Sequence, residues 1–189
     1  MKNNKLNIII ALGLVLMAGL ARIINHQMHL YNFELVGPVA LFCGAVFTNK
    51  RIALLMPLLA LLVGDLYIQI AYLLHATPMK GFYGIEQLFV YAGMIGVALL
   101  GTQMGQPKAV KVLGYAVAGS VVFFIISNFG VWAGGYYGYS IQSFINTYVL
   151  AIPFYKNTLI GHVAGAALLF GAYFLLQQAL MSKTQKIKA

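Results

Sequence analysis

The sequence predicts an all-α fold, a polytopic membrane protein built as a six-helix transmembrane bundle. Three observations carry this. Of 189 residues, 61% are hydrophobic and 8% charged, against roughly 45–50% and about 25% in soluble domains. Long apolar runs separate the charges, so the net charge of +9 is not gathered on one face as nucleic-acid binding requires. Six of those runs approach the roughly 20 apolar residues that a helix needs to cross hydrocarbon, where unpaired backbone groups find no partners.

The first run is Leu6 to Ile24. The second, Val36 to Thr48, is short enough to be tilted, packed inside a bundle or only partly spanning. Ile52 to His75 is the third, Ile85 to Thr102 the fourth, Lys111 to Trp132 the fifth and Tyr155 to Met181 the sixth. Between the last two, Ile141, Phe144, Ile145, Tyr148, Val149 and Ile152 keep helical spacing, which predicts a short interfacial helix between helices 5 and 6. Nothing repeats convincingly, and the spans leave no room for a soluble domain, so residues 1–189 form a single transmembrane domain.

Lys and Arg set the orientation, since cytoplasmic loops accumulate them. With the N-terminus inside, Lys2, Lys5, Lys50, Arg51, Lys108, Lys111, Lys183, Lys186 and Lys188 are cytoplasmic, and Arg22, Lys80 and Lys156 are outside. Both termini are therefore expected in the cytoplasm, and the chain in the inner (cytoplasmic) membrane as a multi-pass protein. A competing reading makes residues 1–21 a signal peptide with Ala18-Gly19-Leu20-Ala21 as its cleavage site, but the apolar run is longer than a usual signal core. Cys43 sits within an apolar stretch as a packed small side chain; a lone cysteine forms no intramolecular disulfide.

Polar side chains are costly in a membrane and point to function. All three acids, Glu34, Asp65 and Glu86, and all four histidines fall on or toward the outer half in this topology. Arg22 to Glu34 forms a polar, aromatic-bearing loop, readable either as a functional segment or as an interfacial one with Arg22 snorkelling. Asp65, Gln69 and Tyr72 share one helix face that must turn inward, with Arg22, Lys156 and His162 as candidate partners for the carboxylate. A structural ion pair is the plainer reading. Asn128 and Trp132 lie one turn apart and could line a pocket, although Trp132 alone suits an interface anchor. Thr158 and His162 share a face above the small residues Gly161 and Gly165, so His162 lies against another helix, lining a site or hydrogen-bonded in the core.

His26 and His29 have a spacing that could seat a metal, yet no cysteine or acid nearby completes a ligand set. No Walker-type loop, nucleophile elbow or His-Glu-x-x-His helix is present. No cofactor is expected, and the chain is not read as an enzyme.

Arg22 before its polar loop, Gly37-Pro38-Val39-Ala40-Leu41-Phe42, Lys50-Arg51, Gly64-Asp65-Leu66, Asn128-Phe129-Gly130-Val131-Trp132 and Pro153-Phe154-Tyr155-Lys156-Asn157-Thr158-Leu159 together resemble a bacterial family of uncharacterised transport proteins. That family is in turn similar to the S components, the substrate-binding subunits, of energy-coupling factor (ECF) vitamin transporters. The resemblance covers most of the chain. It implies a substrate held near the outer face beneath a lid, Asn25 to Glu34, with Asp65, Asn128, Trp132, Asn157 and His162 lining the pocket. An acid is common at the His162 position in the resembling family, which makes substrate charge particular to this chain. S components often carry an Ala-x-x-x-Ala pattern on the first helix for docking on a transmembrane coupling subunit with its ATPase subunits; Ala11, Val15 and Ala18 stand here instead.

The expected function is thus a membrane-embedded substrate-binding subunit for uptake of a small, vitamin-like molecule. Its expected binding residues are Arg22, Asn25, His26, His29, Asp65, Gln69, Asn128, Trp132, Asn157 and His162. The expected partners are that small molecule, the lipid bilayer and a coupling subunit, with no nucleic acid. The alternatives are an intramembrane metal-binding protein or enzyme using His26, His29, Asp65 and His162, and a structural membrane protein without a ligand.

Overall fold

The computed structural model describes residues 4–28 and 35–188, with side chains for 13–24, 27, 28 and 35–178. These residues form six helices and no strand: α1 (Asn4–Gln27), α2 (Val36–Val46), α3 (Lys50–Leu73), α4 (Glu86–Gln103), α5 (Ala109–Ala133) and α6 (Ile141–Lys188). Three segments, Lys50–Leu73, Ala109–Ala133 and Ile141–Gln178, are long and apolar enough to cross a membrane.

The pattern on α3 shows how the bundle is built. Its buried residues are Ala53, Pro57, Ala60, Leu61, Gly64, Asp65, Ile68 and Ala71. Its exposed residues include Leu55, Leu59, Leu62, Leu66, Ile70 and Leu73. Both sets follow a helical period on opposite faces, with mostly small residues inside and leucines outside. That inverts the pattern of a soluble amphipathic helix and suits an apolar surround, where helices associate through close backbone approach.

α2 is the centre of the fold. It touches all five other helices, whereas among the described residues α1 touches only α3 and α2, and α6 only α5 and α2. The order around α2 is therefore α1, α3, α4, α5, α6, with no contact between α1 and α6 among the described residues. Every residue from Val36 to Gly44 is buried. At 11 residues the helix is roughly 16 Å long, about half the hydrocarbon thickness, so of the readings of the short second run the one packed inside the bundle fits, and the helix is too short to cross hydrocarbon by itself. Glycine makes this possible at its crossing with α4: a Cβ on Gly44 would strike the Ala98 carbonyl, and one on Gly101 the Leu41 carbonyl.

Chain breaks follow local chemistry. Asn49 caps α3 by accepting hydrogen bonds from the amides of Arg51 and Ile52 at 3.0 and 3.4 Å, so α3 begins at Lys50, two residues before the apolar run. Its far end turns at His75, which adopts a left-handed backbone with φ of 57°.

The largest departure from expectation is at α6. The interfacial helix and the sixth span are one helix of 48 residues running through Pro153. Proline removes one backbone hydrogen bond and crowds the preceding turn, which argues for a break at that point. Packing on α5 overrides it. Tyr148 and Tyr155, on either side of Pro153, both stack edge-on against Phe124 at 6.0 and 5.0 Å. Tyr148 also donates to the Ile125 carbonyl at 2.9 Å, and the Tyr155 and Ser120 hydroxyls lie 3.0 Å apart. The same face is thus held before and after the proline, and Ser140 starts the helix by accepting from the Ser143 amide at 3.0 Å.

Candidate functional site

The expected site residues separate into two groups with different chemistry. The first is built on Asp65, which is 1% exposed. One carboxylate oxygen accepts from the Arg22 guanidinium at 2.6 Å, and the other accepts from Gln87 Nε2 and the Tyr91 hydroxyl, each at 2.8 Å. Of the three candidate partners for Asp65, the structure selects Arg22. Lys156 is exposed, and His162 packs against other helices. Gly64 makes the approach feasible, since a Cβ there would collide with Arg22 Cδ.

The cluster also anchors the chain between α3 and α4. Gln87 Nε2 donates to the Gly81 carbonyl at 3.0 Å while its Oε1 accepts from the Tyr83 amide at 3.2 Å. Gln69 Oε1 accepts from the amides of Gly81 and Phe82 at 3.1 and 3.2 Å. Gln69 therefore holds this loop instead of joining Asp65 in a pocket, and Tyr72 lies under the Lys80 ammonium at 5.8 Å. Gln27 Nε2, bonded to the Tyr67 hydroxyl at 2.9 Å, ties the end of α1 to α3. With all its oxygens engaged, Asp65 acts as the clamp of α1, α3, α4 and the 81–83 loop.

The second group is the opposite case. His162 is 1% exposed, and among the described residues neither ring nitrogen has a hydrogen-bond partner within ordinary geometry. A Cβ on Gly37 would strike His162 Nε2 and Cε1, and one on Gly119 would come within 3.5 Å of Nδ1. The imidazole thus packs from α6 against the first turn of α2, with Nδ1 toward α5 and the Phe123 ring 6.2 Å away. Trp132 Nε1 is likewise buried without a partner, inside an aromatic group with Phe129 at 5.4 Å and Phe144 at 5.5 Å. Gly119 and Trp132 are 13 positions apart on α5, roughly 20 Å along the axis, too far for one small ligand to reach both. The single pocket expected around Asp65, Trp132 and His162 is therefore not assembled.

The other expected residues are placed as follows. Asn128 donates to the Phe124 carbonyl of its own helix at 2.8 Å, which satisfies its amide locally. Asn157 is exposed and engaged in an interaction of its own. Asn25 and His26 fall on α1, but their side chains, and all of His29 and Glu34, lie outside the described residues. Among the described residues no three His, Cys, Asp or Glu side chains come together as a metal site. Val15 and Ala18, expected to dock a coupling subunit, are buried at 6% and 0%. They are buried on a helix that packs on α3 and α2, and neighbouring Gly19 lies against Val63 and the Ala60 carbonyl. The Ala11 side chain lies outside the described residues.

Gln87 and Tyr91 went unnoticed in the sequence. The available signal was their spacing, four residues apart on one face of an otherwise apolar helix.

Comparison with curated proteins and with solved structures gives no match. A family described as of unknown function, DUF6580, matches residues 2–185, nearly the whole chain, and the protein belongs to that family.

Proposed function

We propose that this chain is a membrane-embedded substrate-binding subunit for uptake of a small, vitamin-like molecule, like the S components it resembles. In this reading the helices around α2 cross the inner membrane as one domain, with both termini cytoplasmic as the Lys and Arg distribution favours. The observation that carries it is the contrast between the two buried polar groups. Asp65 has all its oxygens bonded, whereas the nitrogens of His162 and Trp132 are buried with none. Unsatisfied buried donors are rare in native proteins and each leaves about 1–3 kcal/mol of desolvation unrecovered. A bound molecule that supplies a partner to His162 recovers it at that residue.

The clamp contributes by fixing the mouth of the bundle. Tyr91 lies six residues before Val97 on α4, and Val97 packs beside Gly119 at the depth of His162. The clamp is therefore roughly 9 Å toward the 81–83 loop from the histidine, on the side from which an external ligand would arrive.

The test is equilibrium binding of vitamins and their precursors to the purified protein in lipid nanodiscs. Saturable binding that is weakened at least about tenfold by His162→Phe supports the reading. A protein whose thermal stability ignores the whole panel refutes it and favours a structural role.

A further inference from the structure

We propose that the open cavity at the C-terminal end of α3 binds the phosphate of an anionic phospholipid, whose acyl chains lie along the leucine face of the same helix. This goes beyond the uptake reading above and does not depend on it.

The cavity has a volume of about 640 Å³, and Tyr72, Leu73, His75 and Thr77 are among the residues that line it. That lies within the roughly 300–1,000 Å³ of small-molecule sites. Its depth in a bilayer follows from the helix. α3 has 24 residues, roughly 36 Å against about 30 Å of hydrocarbon. With Lys50 and Arg51 at one membrane surface, the last turn of α3 reaches the headgroup level of the other.

The backbone brings a histidine to this place. The amides of His75 and Ala76 return to the carbonyls of Tyr72 and Ala71 at 3.0 and 2.9 Å. In this helix ending a left-handed residue, usually glycine, follows the cap. Here that residue is His75, with φ of 57°, a conformation that costs energy for a residue with a side chain. The chain returning toward α4 is fixed as well, because Gln69 accepts from the Gly81 and Phe82 amides. Just before them, the Lys80 ammonium lies over the Tyr72 ring, 5.8 Å from its centre.

The polar groups gathered here suit an anion. Thr77 Oγ1 accepts from the Met79 amide at 3.2 Å, and its own hydrogen can donate, as can the His75 ring and the Lys80 ammonium. Among the described residues no acid pairs with Lys80 or His75: Asp65 is held by Arg22, and Glu86 lies over Gly84 and Gly134. Separate donors around one anion fit a tetrahedral phosphate, for which lysine serves as a point charge.

The apolar surroundings favour a lipid as its source. Leu62, Leu66, Ile70 and Leu73 follow one another at intervals of four, four and three residues, so they form one face of α3. All four are exposed, and the last of them lines the cavity. Leu74, Met79 and Phe82 are exposed around it. A free phosphate uses none of this surface, whereas a phospholipid covers it with acyl chain while its headgroup takes the donors. A zwitterionic headgroup brings an ammonium that Lys80 repels.

The experiment uses the full-length protein in dodecyl maltoside micelles with 15N-labelled histidine, titrated with phosphatidylglycerol, phosphatidylcholine or inorganic phosphate. The His75 signals are those lost in His75→Asn, since asparagine tolerates the left-handed backbone. Saturable shifts of His75 with phosphatidylglycerol are expected, at least about fivefold tighter than with phosphatidylcholine and absent with inorganic phosphate at the same concentration. Lys80→Gln should weaken phosphatidylglycerol binding about fivefold, and Lys108→Gln, at an exposed cation before α5, should leave it unchanged. Equal binding of the two lipids, an unmoved His75, or equal losses from the two lysine variants overturns the proposal, the last by showing diffuse surface charge. Inorganic phosphate that binds as tightly as phosphatidylglycerol overturns the lipid as occupant. The comparison of the two lipids on the wild-type protein decides the matter should a variant not fold.

Discussion

Replacing Asp65 with alanine removes the acceptor for three groups at once: Arg22 at 2.6 Å, and Gln87 and Tyr91 at 2.8 Å. The Arg22 side chain is 17% exposed, so its charge would be left in a largely apolar setting. Breaking a buried pair by deleting one partner costs about 3–5 kcal/mol, whereas replacing both charges with apolar groups is often neutral. Gln87 retains the Gly81 carbonyl for its Nε2, but Tyr91 keeps no other hydrogen-bond partner among the described residues and adds about 1 kcal/mol or more. The single variant Asp65→Ala should therefore lose roughly 4–6 kcal/mol, and the double variant Arg22→Met with Asp65→Leu distinctly less. At about 2–4 °C per kcal/mol for a chain of this size, the single variant should unfold at least about 8 °C below wild type. Thermal unfolding in nanodiscs, completed as a double-mutant cycle, measures both. A single variant within about 1 kcal/mol of wild type, or a double variant at least as unstable as the single, would show that the charges do not form a coupled buried clamp.

Gly64→Ala should act through Arg22, because the new methyl occupies the space of Arg22 Cδ; its destabilisation should largely vanish in an Arg22→Ala background. Gln69→Leu strips the acceptor from the Gly81 and Phe82 amides, so hydrogen exchange should accelerate at those two amides while the α5 core stays protected. Gly44→Ala forces a methyl onto the Ala98 carbonyl and should cost about 1–3 kcal/mol by overpacking, read as a lowered Tm without loss of helicity. For the topology, Lys108→Cys should resist a membrane-impermeant maleimide added outside and Tyr136→Cys, at a position 74% exposed, should react with it. Buried Cys43 should react in neither variant, and labelling of Lys108→Cys from outside would invert the orientation.

The helices themselves were legible in the sequence because apolar runs and periodicity are local. α3, α4 and α5 lie within a few residues of their expected bounds, the shifts arising from caps such as Asn49. Pro153 was misleading, since a local helix breaker says nothing of the α5 surface that holds both of its flanks. The placement of Asp65 on an inward face was likewise readable, because a carboxylate cannot face lipid. Which partner it takes was not: Arg22, Lys156 and His162 are equivalent on composition, and only the crossing of α1 over Gly64 distinguishes them.

By itself the sequence determined an all-helical chain and a minority of polar residues that must be compensated inside; of the six spans it predicted, the structure describes three helices long and apolar enough to cross a membrane. These follow from transfer free energies that each residue carries wherever it is placed. Only the tertiary structure decided that α2 is an 11-residue helix starting in the interior, that Asp65 is saturated and that His162 is not. Whether a buried polar atom is satisfied depends on what neighbouring helices bring within about 3 Å of it, and sequence separation carries no information about that distance.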